Sequence, residues 1–212
     1  MSGFVNMFSR RALLAGTSSL LTVGACRAQG ANARQNLYAC EGCEAAEERL
    51  RSTLTWDVDI AHGHPGEPLV LDGTVFQADG RTPASGVVIY MHQTNADGLY
   101  ANGSSETESS RRHGRLRGWA VTDVQGRYRF ATIKPAPYPD MTMPAHIHLY
   151  ISEAGRRPYY VDDVVFDGEY KVDAAYRATQ ELRGGSGIVR LTRSDDGKTL
   201  RATRDITLER HP

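Results

Sequence analysis

Residues 117–133 read R-G-W-A-V-T-D-V-Q-G-R-Y-R-F-A-T-I, two short runs of aromatic and β-branched residues on either side of the turn V-Q-G. Such runs, bounded by residues that favour turns, are typical of β-strands that follow one another closely. The stretch therefore predicts an all-β fold.

The same pattern continues in both directions. Upstream lie L-V-L-D-G-T-V-F from Leu69 and V-V-I-Y-M-H-Q up to Gln93, and downstream lie A-H-I-H-L-Y-I (145–151) and Y-V-D-D-V-V-F (160–166). Strands of this kind form an antiparallel sandwich or barrel. We predict an antiparallel β-sandwich over residues 69–212, with long loops and one or two short helices, near 44–53 and 173–181. The polar, Gly/Ser-rich residues 101–117 are predicted to form a surface loop.

Composition limits the possible partners. The chain has 212 residues, enough for one domain with a sizeable core, and its formal net charge is zero. Since there is no basic excess, we expect no nucleic-acid partner. The sequence does not determine the oligomeric state.

Residues 1–28 have the pattern of an export signal. Arg10 and Arg11 precede a short apolar stretch that is too short and too rich in Gly, Ser and Thr to span a membrane. The arginine pair indicates the twin-arginine route, with an ordinary secretory signal as the alternative. V-G-A-C ending at Cys26 resembles a lipoprotein cleavage box, and cleavage after Ala28 fits nearly as well. We expect an exported protein that is periplasmic, secreted, or attached to a membrane through a lipidated Cys26.

Residues 29–68 are predicted to form an N-terminal extension with a short helix, and they contain C-E-G-C with Cys40 and Cys43. A C-x-x-C pair can be a redox pair, half of a zinc site or a local disulfide. A zinc site needs about four ligands and there is no second C-x-x-C motif, so an oxidising compartment favours the local disulfide.

The motif P-A-H-I-H places His146 and His148 one residue apart in a predicted strand. Side chains at positions i and i+2 of a strand point to the same face, so both imidazoles would project together. They could bind one metal, or they could be a core histidine and a histidine bonded to the backbone. His62 and His64 have the same spacing, but in a Gly/Pro-rich connector that favours a structural interpretation.

Two tyrosines add to the histidine pair. Tyr138 lies between two prolines, which restrict its backbone, and Tyr100 ends the turn N-A-D-G-L-Y. A phenol has a pKa of about 10 and binds as an anion only when a strongly acidic metal displaces its proton. Iron(III) does this, as in the haem of catalase, and imidazole also suits iron. The combination points to non-haem iron(III), with another metal in the same pocket as the alternative.

The stretch G-W-A-V-T-D-V-Q-G-R-Y-R-F-A-T-I-K-P-A-P-Y-P (118–139), followed by P-A-H-I-H (144–148), resembles the intradiol ring-cleavage dioxygenases, the family of catechol and protocatechuate 3,4-dioxygenases. Residues 71–100 resemble the strand–turn–strand signature of the same family. The C-E-G-C-E-A motif together with the signal resembles its small exported branch.

This resemblance implies that Tyr100, Tyr138, His146 and His148 hold iron(III). A catechol would chelate the ion and O2 would cleave the ring between the two hydroxyl-bearing carbons, giving a muconate-type product. Tyr138 matches the tyrosinate that leaves when the substrate binds, and it would take a substrate proton, which gives it a catalytic role.

The chain departs from the family pattern at two positions. Met143 stands where these enzymes usually have arginine, and Asp163 where they usually have glutamine. We expect Met143 and Asp163 to contact the substrate, with Trp119 as a core or pocket-wall aromatic. Arg117, Arg127 or an arginine of the 111–117 loop would take the place of the missing arginine. The alternative is a catalytically weak or inactive transthyretin-like module that binds a ligand at the cell surface.

Overall fold

The computed structural model describes Met1, residues 33–103 and residues 106–212. Asn32–Pro212 form one compact unit. The predicted export signal, including Cys26, lies outside the described residues apart from Met1. In the part of the chain described, no helix has the length and apolar character needed to cross a membrane.

The strands of the described chain are short and follow one another closely. Their bounds are β1 Asp57–Asp59, β2 Pro68–Phe76, β3 Val88–Gln93, β4 Arg117–Val121, β5 Arg127–Ile133, β6 His146–Ser152, β7 Tyr159–Phe166, β8 Ile188–Val189, β9 Thr192–Arg193, β10 Leu200–Thr203 and β11 Ile206–Thr207. They form two sheets. One has the order β1-β5-β2-β10-β9, with β11 also paired to β2, and the other has the order β4-β3-β6-β7-β8.

The inner faces of the two sheets share one hydrophobic core. Leu71 and Phe130 contribute from the first sheet, and Ile89, Ile147 and Leu149 from the second. Because side chains alternate along a strand, the residues between these point to the opposite face. The β-sandwich is therefore confirmed. Most strand pairs are antiparallel, but β1–β5, β2–β10, β2–β11 and β7–β8 are parallel.

The N-terminal segment covers the outer face of the five-stranded sheet. Cys43 and Ala45 pack there against Tyr90, Trp119 and Tyr150 in a second apolar cluster. In place of one helix at 44–53 the segment forms two 3₁₀ helices, Cys43–Glu47 and Arg51–Thr53, separated by extended backbone at residue 50. The indole Nε1 of Trp119 donates to the carbonyl of Ala45 at 2.7 Å, and this tertiary bond fixes the first of them to the sheet.

The described residues also include two α-helices, α1 at Glu108–His113 and α2 at Ala174–Thr179. Asp173 caps α2 by accepting from the backbone N–H of residue 176, so the predicted helix near 173–181 is present. Helix α1 interrupts the predicted surface loop at 101–117. Thr107 caps its first turn and His113 is buried, so this part of the loop packs on the sheet.

Candidate metal centre

Four side chains with metal-binding donor atoms converge on the outer face of the five-stranded sheet. The phenol oxygens of Tyr100 and Tyr138 are 2.9 Å apart, and the Nε2 atoms of His146 and His148 are 3.1 Å apart. Each phenol also contacts one imidazole, since Tyr138 Oη lies 3.2 Å from His146 Nε2 and Tyr100 Oη lies 3.0 Å from His148 Nε2. The four atoms form a closed ring of short contacts.

The fold explains this convergence. His146 and His148 occupy positions i and i+2 of β6, the central strand of its sheet, with β3 on one side and β7 on the other. The two tyrosines lie on loops that are bonded to each other. Thr94 Oγ1 donates to the carbonyl of Ala136 at 2.8 Å, and the backbone N–H of Ala136 donates to the carbonyl of Asn95 at 3.1 Å.

Glycine is required where these loops approach most closely. A Cβ at Gly98 would lie 2.0 Å from the carbonyl oxygen of Pro137, and one at Gly114 would lie 3.1 Å from the Cα of Tyr100. Both glycines also have positive φ angles, 77° and 71°. Glycine at these two positions lets the backbone segments that carry Tyr100 and Tyr138 pack closely together.

The Nδ1 nitrogens of His146 and His148 point away from the donor ring, and their hydrogen bonds fix the tautomers of the two histidines. Nδ1 of His146 lies 2.8 Å from the carbonyl oxygen of Pro144, and Nδ1 of His148 lies 2.9 Å from Oδ1 of Asp163. A carbonyl or carboxylate oxygen only accepts, so both Nδ1 atoms carry the proton and donate it. In the neutral form each imidazole then has a bare lone pair on Nε2, and the two Nε2 atoms face each other.

A proton count shows that the ring of contacts is incomplete by itself. Two phenols supply two protons, whereas the ring has four contacts between donor atoms, each 3.2 Å or less. At most two of the contacts can be hydrogen bonds, and the contact between the two Nε2 atoms lacks a proton altogether. A cation at the centre of the ring would bind all four lone pairs and remove this repulsion.

The distances also fit a metal ion. Two donors about 2.1 Å from a common ion and at right angles to each other lie about 3.0 Å apart. The four contacts of the ring, at 2.9, 3.2, 3.1 and 3.0 Å, all match this separation. The separations do not suit a tetrahedral ion, which would need all its ligands about 3.4 Å apart.

The surroundings keep Tyr100, Tyr138 and His146 neutral when no strong Lewis acid binds. Burial raises the pKa of both Tyr100 and Tyr138, and the negative charge of Asp163 raises them further. Burial lowers the pKa of His146, and the neighbouring His148 adds to this effect. Only an ion that strongly favours phenolate would ionise the tyrosines here.

Asp163 is close to the four donors but does not belong to their ring of contacts. Atoms of His146, His148 and Asp163 that could ligate a metal lie within 4.8 Å of one another. However, Asp163 bonds to Nδ1 of His148, on the ring edge away from Nε2. We therefore treat Asp163 as the partner that orients His148, an arrangement common among metal-binding histidines.

The other predicted substrate contacts are Met143, Trp119, Arg117 and Arg127. Met143 is 38% exposed, on the loop between Tyr138 and His146. Arg117 pairs with Glu48 at 2.8 Å and covers the ring of Trp119, so both side chains belong to the interface with the N-terminal segment.

Arg127 is not part of the site. It lies on β5 in the other sheet, where it bonds to Asp123 at 2.7 Å and covers the ring of Trp56. The chain changes sheets between β4 and β5, and this crossing carries Arg127 away from Arg117. The expectation that Arg127 could replace a missing cation at the site is therefore wrong.

A layer of aromatic side chains that was not predicted lies behind the donors. His92 is buried and its ring centroid lies 4.4 Å from that of His148 and 4.0 Å from that of His113. Tyr90 Oη lies 2.7 Å from Nδ1 of His113, and Tyr150 Oη lies 3.3 Å from Nε2 of His92. Burial lowers the pKa of His113 to about 4 and that of His92 well below its usual value.

A sequence signal for α1 was present. Thr107 precedes the helix as a capping residue and Gly114 follows it, which is the usual pair of start and stop signals. The helix brings His113 into the aromatic layer, and Gly42 of the C-E-G-C motif packs against its ring. Cys40 and Cys43 on either side of Gly42 are joined by a disulfide.

The comparison with known proteins fits this geometry. A protein-family model described as Dioxygenase matches residues 44–209, most of the chain. The chain belongs to the intradiol ring-cleavage dioxygenases. The match includes Tyr100, Tyr138, His146 and His148, and it begins inside the N-terminal segment that covers the sheet.

Three relatives show the extent of the similarity. The chain is 31% identical over 162 residues to the protocatechuate 3,4-dioxygenase beta chain of Burkholderia cepacia, covering 70% of this chain and 68% of that one. It is 30% identical over 132 residues to catechol 1,2-dioxygenase of Acinetobacter baylyi, covering 55% and 42% of the two chains. The structure of catechol 1,2-dioxygenase from Pseudomonas arvilla C-1 aligns with a TM-score of 0.55 at 27% identity, over 73% of this chain and 56% of that one. The chain thus spans only about half the length of the two catechol enzymes.

Proposed function

We propose that this dioxygenase uses non-haem iron(III) to cleave a catechol-type ring between its two hydroxyl-bearing carbons, with incorporation of both atoms of O2. The observation that carries the proposal is the ring of four donor atoms, two phenol oxygens and two bare imidazole nitrogens, at separations of 2.9–3.2 Å. Two tyrosine donors favour iron(III) over zinc or calcium. Bound there, iron(III) would supply the Lewis acidity that makes the electrons of a chelated catecholate available to O2.

The residues of the chain would supply geometry and a proton acceptor. His146 and His148 are locked in one tautomer and one orientation by Pro144 and Asp163, so they would remain fixed through the reaction. We propose Tyr138 as the group that takes a substrate proton, the role that the family resemblance implies for it, and its phenol lies on a loop 2.9 Å from that of Tyr100. Its raised pKa makes its phenolate a strong base when it is released.

The same observation weighs against an inactive binding module. Four donors in a ring with too few protons are unfavourable unless a cation binds, so a scaffold kept only for binding elsewhere has no need of them. The carboxylate of Asp163 on His148 adds a further group whose role depends on the metal.

The experiment is metal analysis together with a visible absorption spectrum of the purified protein. We expect iron, a tyrosinate-to-iron(III) band that shifts when catechol is added without oxygen, and oxygen uptake with a ring-cleaved product. Y100F and Y138F should each weaken the band, while Y170F, a change of an exposed tyrosine outside the donor set, should leave it intact. A protein that carries iron without the band, or that never binds iron, would refute the proposal.

We also propose that residues 1–28 direct export, by the twin-arginine route. The support is the pair Arg10 and Arg11 ahead of a short apolar stretch, together with a Cys40–Cys43 disulfide that suits an oxidising compartment. Double replacement of Arg10 and Arg11 by lysine should retain the chain in the cytoplasmic fraction. An unchanged distribution would favour an ordinary secretory signal or no export.

Lipidation of Cys26 is the finer part of this proposal. A lipidated Cys26 would place the protein at a membrane, while cleavage after Ala28 would release it. The mass of the mature N-terminus distinguishes the two, because a diacylated cysteine adds a large and hydrophobic increment. C26A should abolish the increment and leave soluble protein.

A further inference from the structure

A cavity lies directly beside the donor ring, on the side of His148 that carries Asp163. Its volume is about 280 Å³, and it is bounded by strands β6 and β7, helix α2 and the N-terminal segment. The residues that matter for its chemistry are Glu41, His148, Asp163, Tyr176, Gln180 and Glu181. His148 belongs to both the donor ring and the cavity wall, so the cavity begins one imidazole ring away from the donor atoms.

The wall of the cavity is acidic. It includes the four carboxylates of Glu41, Asp162, Asp163 and Glu181, and no lysine or arginine of residues 33–103 or 106–212 lines it. Two of the four are already engaged, since Glu181 lies 3.6 Å from Arg34, and Asp162 accepts the backbone N–H groups of residues 182 and 183.

The remaining two carboxylates are available to a ligand. Glu41 is exposed, and in the part of the chain described it forms no ion pair. Asp163 uses Oδ1 for His148, and Oδ2 has no hydrogen-bond partner among the described residues. Both point to a ligand that brings positive charge or N–H donors rather than further negative charge.

A third acceptor supports this inference. The side-chain oxygen of Gln180, which lines the same cavity, is buried and has no hydrogen-bond partner among the described residues. A buried acceptor without a donor costs free energy, and a ligand with an N–H group would satisfy it.

We propose that the substrate is a catechol whose ring substituent is a cation or a neutral hydrogen-bond donor, and that the Glu41–Asp163 wall excludes catechols with a carboxylate substituent. This inference rests on the proposed function. A chelated catecholate already brings two negative charges, and a third on the substituent would lie against Glu41 and Asp163, which pair with no lysine or arginine among the described residues.

Three catechols of similar size but different charge test the proposal. They are dopamine with an ammonium group, 4-ethylcatechol with none, and 3,4-dihydroxyphenylacetate with a carboxylate. Each is titrated into the iron-loaded protein without oxygen, and the shift of the visible band gives a dissociation constant independent of turnover. We expect dopamine to bind about tenfold tighter than 4-ethylcatechol, and the carboxylate to bind weakest, as for one ion pair in a partly exposed site.

Charge variants connect the preference to the cavity. E41Q should reduce the preference for dopamine, and E41K should reverse the order of dopamine and 3,4-dihydroxyphenylacetate. E108Q, a change of an exposed acid on α1 that does not line the cavity, should leave all three constants unchanged. Since Glu41 is exposed, these variants should fold like the parent chain.

The outcomes separate the inference from the proposed function. If the band shifts equally with all three catechols, or most readily with the carboxylate, the inference is wrong and the proposed function stands. If dopamine is preferred but E41Q and E41K change nothing, the assignment to this cavity is wrong. If no catechol shifts the band, the proposed function itself fails.

Discussion

Asp163 provides the sharpest test of the donor ring. Its carboxylate accepts from Nδ1 of His148 at 2.9 Å, and the two side chains are 26% and 23% exposed. The carboxylate lies about 5 Å from Nε2 across the imidazole ring, and about 7 Å from an ion bound to Nε2. At an effective dielectric constant of about 20, its charge would stabilise each unit of positive charge there by about 2 kcal/mol.

Partial exposure reduces this value. Allowing for solvent screening, D163N should weaken binding of iron(III) by about 1–2 kcal/mol, or roughly fivefold to thirtyfold. Loss of outer partners of metal-bound histidines generally costs 10-fold to about 100-fold, in agreement. D163L should cost more than D163N, because an amide oxygen can still accept from Nδ1 and hold the tautomer whereas leucine cannot.

The assay is competition with citrate for iron(III), together with the energy of the tyrosinate band. D195N, a change of an exposed aspartate far along the chain on a turn, is the matched control. If D163L binds iron(III) within about twofold of the parent protein, the orienting role of Asp163 is refuted. A loss confined to D163L would show that Asp163 fixes the tautomer but contributes little through its charge.

Three further predictions concern the packing around the site. G114A should lower the free energy of unfolding by about 1–3 kcal/mol and weaken the tyrosinate band, because the new Cβ meets Tyr100 in a backbone with φ of 71°. His113 binds its proton less readily in the folded chain, with a pKa of about 4 against 6.5, so the unfolded chain takes up more protons between these values. The contribution of His113 to stability should therefore be full above pH 6.5 and fall by about 2 kcal/mol towards pH 4.5, and H113F should remove this contribution while those of His92 and His146 remain. C40S should lower stability by about 2 kcal/mol through loss of a short closed loop, as measured by urea unfolding with and without reductant.

Each of these has a control. G155A has a similar φ of 72° but open space around it, so it should lose stability without any change in the band. H62Q changes an exposed histidine and should keep the pH dependence of the parent chain. Equal unfolding curves for the parent and C40S under oxidising conditions would contradict the contribution of the disulfide.

Much of the fold was predictable because strand sequences and turn residues carry local information. The runs around Phe130 and Ile147 were predicted as strands, and both lie in the core. The parallel pairs were not predictable, because β10 and β11 align with β2 through contacts more than a hundred residues apart in the sequence. Local patterns contain no information on such pairings.

The candidate site shows the same division. Tyr138, His146 and His148 were recognisable from short motifs, and the structure brings them together with Tyr100. Arg127 was placed wrongly, because sequence proximity to Arg117 does not show that the chain changes sheets between them. The acidic cavity was also not predictable, since it combines Glu41 with residues of β7 and α2 that are more than 100 positions away.

The central position of β6 has one more consequence. Strands paired on both sides are the parts of a sheet that open least often, whereas loops open through small local fluctuations. Two of the four donors, His146 and His148, therefore belong to the slowest-exchanging part of the molecule, and the other two, Tyr100 and Tyr138, to faster-exchanging segments. Amide hydrogen exchange should show this split within a single coordination sphere. With two donors on a rigid strand and two on mobile segments, a tyrosine can leave the ion while His146 and His148 continue to hold it.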